Sequence, residues 1–121
     1  MVEAGRDRAE KLLRSGAARE AFERIIDAQG RRSPPVMPGR LIHTFHANRA
    51  GAIREIDGWA VTEIARRAGA PLDKAAGVDI LRNVGDTVGC GEPLFVIHAS
   101  AQGDLEEAAR LAGNSRCYVI G

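Results

Sequence analysis

Apolar and polar positions alternate most clearly over residues 78–99, and this stretch organises the rest of the chain. Residues 78–81 and 94–98 are two apolar runs of strand length, separated by a connection rich in glycine. Glycine tolerates the backbone angles that tight turns require, so we expect the chain to reverse direction within the connection. The pattern predicts a strand, a short half-buried strand through Val84 and Val88, and a second full strand.

Two segments before the middle of the chain show the three-and-four spacing of apolar residues that is typical of amphipathic helices. They span residues 2–13 and 17–28, with Ser15 expected to cap the second helix and Gly30 expected to end it. An apolar stripe in water needs a covering surface. The stripe of the second helix comprises Ala18, Ala21, Phe22, Ile25 and Ile26.

Residues 31–39 carry three prolines and no periodic pattern. Proline fixes its own backbone angle and restricts the residue before it, so this segment is expected to be an extended linker. It predicts a division of the chain into a helical part, residues 1–30, and a sheet-forming part, residues 31–121.

The sheet-forming part begins with two predicted strands, residues 41–47 and 52–56, which we expect to pair in antiparallel fashion. Asp57 follows the second strand and is expected to cap a helix over residues 58–68. Gly69 is placed to end that helix.

A helix over residues 104–112 and a strand over residues 117–120 complete the predicted elements. The fold class that they predict is α+β: an antiparallel β sandwich or half-open barrel, with the helix of residues 58–68 crossing between strands. The N-terminal helices precede this domain.

Composition narrows the range of functions. Seventeen basic and sixteen acidic residues among 121 give a formal charge of +1, so no nucleic-acid or membrane partner is expected. No apolar run is long enough to span a bilayer. Two cysteines in a chain without a leader peptide favour a reducing compartment, and a cytoplasmic location is therefore expected.

Candidate chemical groups are few and scattered. His43 and His46 are three residues apart on a predicted strand, so they point to opposite faces and cannot chelate a metal together. We expect one of the two histidines to be buried and the other solvated. Cys90 and Cys117 are each expected to be small packing residues, and Trp59 is expected to be a packing anchor.

Three segments, in order, resemble the C-terminal domain of the pyrimidine nucleoside phosphorylases, the family of thymidine phosphorylase and AMP phosphorylase. The resemblance covers residues 5–111. The segments are residues 15–30, from SGAA to AQG; residues 50–70, from AGAI to IARRAGA; and residues 73–99, through DKAAGV, VGDTV, GEPL and IHA.

This resemblance implies a parent enzyme that cleaves pyrimidine nucleosides with phosphate, as co-substrate, to a free base and a sugar 1-phosphate. It implies partners in the parent's α and α/β domains, to which residues 1–30 would be the tether, and no cofactor. The family's phosphate-binding loop and base-binding residues precede the segment that is matched here. No glycine-rich loop opens a helix in this sequence, so we expect no catalytic, cofactor-binding or metal-binding residue and no turnover by this chain alone.

The resemblance also singles out a loop that leads into the central strands. If it lies at the mouth of the parent's cleft, residues 66–77 come closest to the substrate. The side chains that would face the cleft are Arg66, Arg67, Asp73 and Lys74.

Two alternatives belong to other functional classes. Lys74 lies in an Asp-Lys-Ala sequence like the attachment site of lipoyl domains, and the glycine pattern after it also resembles biotinyl and lipoyl carriers. A carrier lysine would have to stand at the tip of a hairpin, however, and Lys74 follows a predicted helix. Alternatively, Phe22 and its apolar neighbours would be exposed in the absence of further domains, which predicts a self-associating module that forms homo-oligomers.

Overall fold

The computed structural model describes residues 1–121 and contains four helices and six strands. The chain divides into two compact units, Met1–Pro35 and Val36–Gly121. The elements are α1 (Val2–Arg14), α2 (Ala17–Gln29), β1 (Leu41–His46), β2 (Gly51–Ile56), α3 (Gly58–Ala68), β3 (Gly77–Ile80), β4 (Thr87–Val88), β5 (Pro93–Ala99), α4 (Gln102–Asn114) and β6 (Tyr118–Ile120).

The first unit consists of α1 and α2, and neither helix contains a buried residue. The expected cap at Ser15 is wrong. Ser15 ends α1 instead, with its amide bonded to the carbonyl of Lys11 at 3.0 Å. Gly16 precedes α2 with a φ of 84°, an angle that glycine adopts without a Cβ clash. The N-cap position is therefore occupied by Gly16, while the Ser15 hydroxyl still accepts a hydrogen bond from the amide of Ala17 at 3.4 Å.

The second unit contains two three-stranded antiparallel sheets, which confirms the predicted α+β class without a closed barrel. Their strand orders are β1-β5-β3 and β4-β2-β6. Central strand β5 places Ile97 opposite Val78 of β3 and His43 of β1. Ile97 is fully buried, as a residue in the middle of a covered sheet should be.

The expected pairing of the two strands after the linker is wrong, because β1 and β2 lie in different sheets. Between them, the buried residue Ala47 exchanges backbone hydrogen bonds with the turn before β5: its amide donates to Glu92 and its carbonyl accepts from Gly91, each at 2.8 Å. These hydrogen bonds use backbone groups of Ala47 that a local hairpin between β1 and β2 would need. The chain therefore crosses from one sheet to the other.

The short strand in the glycine-rich connection also lies elsewhere than expected. β4 pairs with β2, where Val88 lies opposite Gly51, and β3 pairs directly with β5. Val88 is buried as predicted, but Val84 is exposed and outside any strand. The stretch of residues 78–99 therefore contributes to both sheets.

Helix α3 begins and ends as predicted. The Asp57 carboxylate accepts hydrogen bonds from the amides of Trp59 and Ala60, and the helix ends at Gly69. Ile64 and Ala68 are its buried residues, in a core shared with Leu105, Ala108 and Ala112 of α4.

The expectation for Trp59 is wrong. Trp59 is 83% exposed because it lies on the same helical face as Glu63 and Arg66, away from the stripe that includes Ile64.

Three stacked aromatic rings connect the two sheets. Phe45 of β1 stacks on Phe95 of β5 with ring centroids 4.9 Å apart, and Phe95 stacks on Tyr118 of β6 at 5.6 Å. The Tyr118 hydroxyl donates to the carbonyl of Arg82 at 2.8 Å. This hydrogen bond satisfies the polar end of a half-buried ring.

Candidate functional site

A cleft of about 370 Å³ in the second unit contains one of the residues singled out by the sequence. One wall is the end of the linker, residues 36–38, and the opposite wall is the turn after α3 from Lys74 to Ala76. The floor is formed by β3 together with His98 of β5. The cleft is therefore built from three segments that are distant in sequence.

Gly39 fixes the linker wall of the cleft. Its amide donates to the carbonyl of Ala75 at 2.8 Å, and its carbonyl lies 3.2 Å from Nδ1 of His98, which donates in the tautomer protonated at that nitrogen. A Cβ on Gly39 would lie 2.4 Å from the backbone oxygen of Ala99. Only glycine permits so close an approach of two backbones.

Asp73 fixes the opposite wall. Its Oδ1 accepts a hydrogen bond from the amide of Ala75 at 2.9 Å. The Ser100 hydroxyl and then this amide stabilise the ionised form and hold the pKa of the Asp73 carboxyl below its usual range. Gly69, with a φ of 127°, brings its backbone against the side chain of Asp73. The turn is consequently tied to the end of α3, where the Asp73 amide also donates to the carbonyl of Gly69 at 2.9 Å.

The structure separates the four residues predicted to face a cleft. Arg66 pairs with Glu63 at 3.3 Å and Arg67 with Glu107 of α4 at 3.6 Å, so both belong to the exterior of the helices. Asp73 and Lys74 lie together in the turn. Lys74 lines the cleft and forms no ion pair, since every salt bridge in the structure involves an arginine.

The histidine and cysteine expectations are partly wrong. His43 and His46 are both exposed, and β1, which carries them, is an edge strand. Cys117 is buried as expected, and burial, with a smaller contribution from Asp57, raises its pKa to about 11. Cys90 is exposed in its turn instead of packed. No group of three or more metal-binding side chains occurs.

Sequence reasoning missed Gly39 and His98 as structural partners in this cleft. The only local signal was a glycine directly after the last proline of the linker. His98 is 59 residues away from Gly39, and no local pattern reveals a contact over that separation.

The sequence of the second unit matches a known domain family. The family described as "Pyrimidine nucleoside phosphorylase C-terminal domain" matches residues 52–118, more than half of the chain. The chain belongs to this family. The match begins in β2 and ends in β6, so it includes α3, the turn with Asp73 and Lys74, and β5.

Individual relatives agree with this family. The bifunctional ribose 1,5-bisphosphokinase-thymidine phosphorylase of Azorhizobium caulinodans is 62% identical over 88% of this chain but only 15% of its own length. The corresponding protein of Cupriavidus pinatubonensis is 45% identical over 87% of this chain and 17% of its own. The AMP phosphorylase of Thermococcus kodakarensis is 42% identical over 89% and 22%, respectively. The chain thus spans about a fifth of the length of these relatives.

No helix of the structure combines the length and the apolar character that crossing a membrane would require.

Proposed function

We propose that this chain acts as the C-terminal domain of a thymidine phosphorylase-like enzyme. The parent would convert a pyrimidine nucleoside and phosphate to a free base and a sugar 1-phosphate, without a further cofactor. This domain would contribute structure and cleft closure, while the chemistry would reside in the parent's other domains. The observation that carries the proposal is the family match over residues 52–118, together with relatives several times longer than this chain.

The helical unit supports the need for a partner domain. Leu13, Phe22 and Ile25 are all more than half exposed, although they belong to helices with a pronounced apolar face. Burying such side chains is worth about 1.5–3 kcal/mol each. We propose that the α and α/β domains of the parent cover this face, so that α1 and α2 act as the tether.

A chimeric enzyme tests the proposal. In the Azorhizobium caulinodans relative, the matching C-terminal segment is replaced by this chain, and phosphate-dependent release of thymine from thymidine is measured. We expect release by the chimera and none by the isolated chain. Turnover by the isolated chain, or a folded chimera without activity, would contradict the proposal. The matched control carries Phe22→Asp and Ile25→Asp, which should disrupt docking and reduce activity.

We further propose that the turn after α3 faces the parent's cleft, with Lys74 as the residue that reaches it. Asp73 would position the turn, and Arg66 and Arg67 would hold the end of α3 through their pairs with Glu63 and Glu107. In the chimera, Lys74→Ala is expected to raise the KM for phosphate or nucleoside several-fold. Arg66→Ala is the matched control, with a small expected effect. Unchanged kinetics in Lys74→Ala would refute the role of Lys74 and leave the domain assignment intact.

Self-association is a second candidate function, favoured by the same exposed apolar face. It predicts a dimer or higher oligomer of the isolated chain in sedimentation experiments. The variant with Phe22→Asp and Ile25→Asp should then be a monomer. A wild-type chain that sediments as a monomer at high concentration would argue against this candidate.

The carrier alternative receives no support from the position of Lys74. This lysine lies in the connection from α3 to β3, whereas a carrier lysine has to stand at the tip of a hairpin. An intact mass without an adduct, after co-expression with lipoylating or biotinylating enzymes, would dismiss it. We also propose a cytoplasmic location, supported by two free thiols and by the metabolic enzymes among the relatives.

A further inference from the structure

The two walls of the cleft are parts of one hydrogen-bonded network. Residue 39 ends the linker wall, and its amide bonds to Ala75 in the opposite wall. Ala75 is in turn held by the Asp73 carboxylate, whose ionised form Ser100 also stabilises. His98, in the floor of the cleft, completes the network, because its Nδ1 lies 3.2 Å from the Gly39 carbonyl oxygen.

We propose that the end of the linker, residues 36–39, and the turn after α3, residues 69–77, open and close as one cooperative unit. The position of Lys74 at the cleft would then be set by the linker that enters the domain. In the parent enzyme this arrangement would couple the tether to the cleft-facing turn, a role that rests on the proposed function. The coupling itself is a property of this chain.

Packing makes independent movement of the two walls costly. Gly39 lies against the backbone of Ala99, so a shift of the linker wall must break the contact with β5. The same shift removes the acceptor of the Gly39 amide, which is the carbonyl of Ala75. Gly39 and Ala75 are both half-buried, so an amide that loses its partner there regains only part of its hydration, and both walls respond together.

Coupling of this kind is reciprocal. If loosening the linker wall loosens the turn, then loosening the turn must loosen the linker wall by the same free energy. The reciprocal change separates a coupled network from two segments that only happen to touch.

Site-resolved amide hydrogen exchange of the 121-residue chain provides the test. His98→Ala removes the imidazole next to the Gly39 carbonyl and keeps the backbone of β5, through which His98 pairs with Gly77. We expect it to lower the protection of the Asp73 amide, which bonds to the Gly69 carbonyl at 2.9 Å, by about fivefold or more. His46→Ala, at an exposed histidine with no hydrogen bond, is the matched control and should leave that amide unchanged.

The reciprocal variant is Asp73→Ala, which should lower the protection of the Gly39 amide by a similar factor. Gly39→Ala should lower the protection of amides in both walls at once, because the added Cβ collides with the backbone of Ala99. Gly103→Ala in α4, where a Cβ has open space, is its control. The amide of Ile97 in the core reports whether each variant remains folded.

The proposal is overturned if His98→Ala loosens Gly39 and leaves Asp73 protected, or if Asp73→Ala leaves Gly39 protected. If Gly39→Ala does not fold, the His98 and Asp73 variants still decide the question. These measurements need no partner domain and no substrate, so their failure would leave the proposed function standing. An inactive chimera, in turn, would leave the coupling standing.

Discussion

The two units of this chain contain helices of similar length and similar amphipathic pattern, yet only those of the second unit bury their apolar faces. In α1 and α2 no residue is buried, whereas α3 and α4 bury Ile64, Leu105 and their neighbours against each other and against the sheet β1-β5-β3. The periodic pattern indicates which face of a helix needs a covering surface, but it does not show whether the chain itself supplies that surface. The second unit carries its partner surfaces within its own sequence.

The helical unit relies instead on exposed ion pairs. Arg31 contacts both Glu23 and Asp27 after the end of α2, and Arg6 pairs with Glu10 at 3.3 Å within α1. Hydrogen bonds to Glu23 and then to Asp27 raise the pKa of Arg31 above its ordinary value. Exposed ion pairs of this kind contribute little to stability. We therefore expect the first unit to be much less stable than the second.

Truncating one large apolar residue in each unit is the strongest test of this contrast in burial. Ile97→Ala removes a fully buried side chain from the centre of β5 and should cost about 2–5 kcal/mol of unfolding free energy. Phe22→Ala removes a side chain that is 60% exposed and should change the unfolding free energy by no more than about 0.5 kcal/mol. Urea unfolding followed by circular dichroism measures both.

Ile25→Ala serves as a second exposed control in the same helix as Phe22. Equal losses in the Phe22 and Ile97 variants would show that the first unit has a packed core after all, and the contrast between the units would disappear.

A smaller effect is expected from the polar end of the aromatic stack. Tyr118→Phe keeps the ring against Phe95 and removes the hydroxyl that donates to Arg82, so it should cost about 1 kcal/mol. Tyr118→Leu should cost more, because it also removes the ring stacking. Identical unfolding midpoints for Tyr118→Phe and the wild type would show that the hydrogen bond does not stabilise the second unit.

The smallest effect concerns the charge on the turn after α3. The pKa of Asp73 is lowered in the folded chain, so its ionised form stabilises the fold at neutral pH, and this contribution disappears as the pH falls below about 4. Asp73→Asn should therefore lower the melting temperature slightly at pH 7, and its difference from the wild type should shrink as the pH falls through the lowered pKa of Asp73. Asp7→Asn, at an exposed carboxylate of α1, is the control and should show no such dependence. A difference between Asp73→Asn and wild type that stays the same from pH 7 to pH 2 would contradict the role of the charge.

Comparison of the structure with the sequence-based expectations shows where local information suffices. Helix α3 was predicted from Asp57 to Gly69, because a cap and a stop lie within one short segment. The pairing of β1 with β2 was wrong, because the turn at Gly91 and Glu92 supplies backbone partners for Ala47 from over forty residues further along the chain. Trp59 is exposed despite its aromatic character, because its position on the helix places it on the polar face with Glu63 and Arg66.

The candidate site shows the same limit more clearly. The turn with Asp73 and Lys74 was identified from its sequence, and the structure places Lys74 in a cleft. The role of Gly39 could not be found, because it follows from contacts with Ala75, His98 and Ala99 that no local pattern records.

Local sequence patterns suffice to predict the helices and most of the strands, the α+β class of the second unit, and the domain family that the chain resembles. Caps, glycines and apolar spacing act over a few residues, and they leave a readable pattern for that reason. The pairing of the strands, the separation of β1 and β2 into different sheets, and the link from the linker through Gly39 to the turn with Lys74 become visible only in the folded domain. These outcomes depend on competition among distant backbone partners and on the fit of one segment against another, and that competition is settled only when the whole domain has folded.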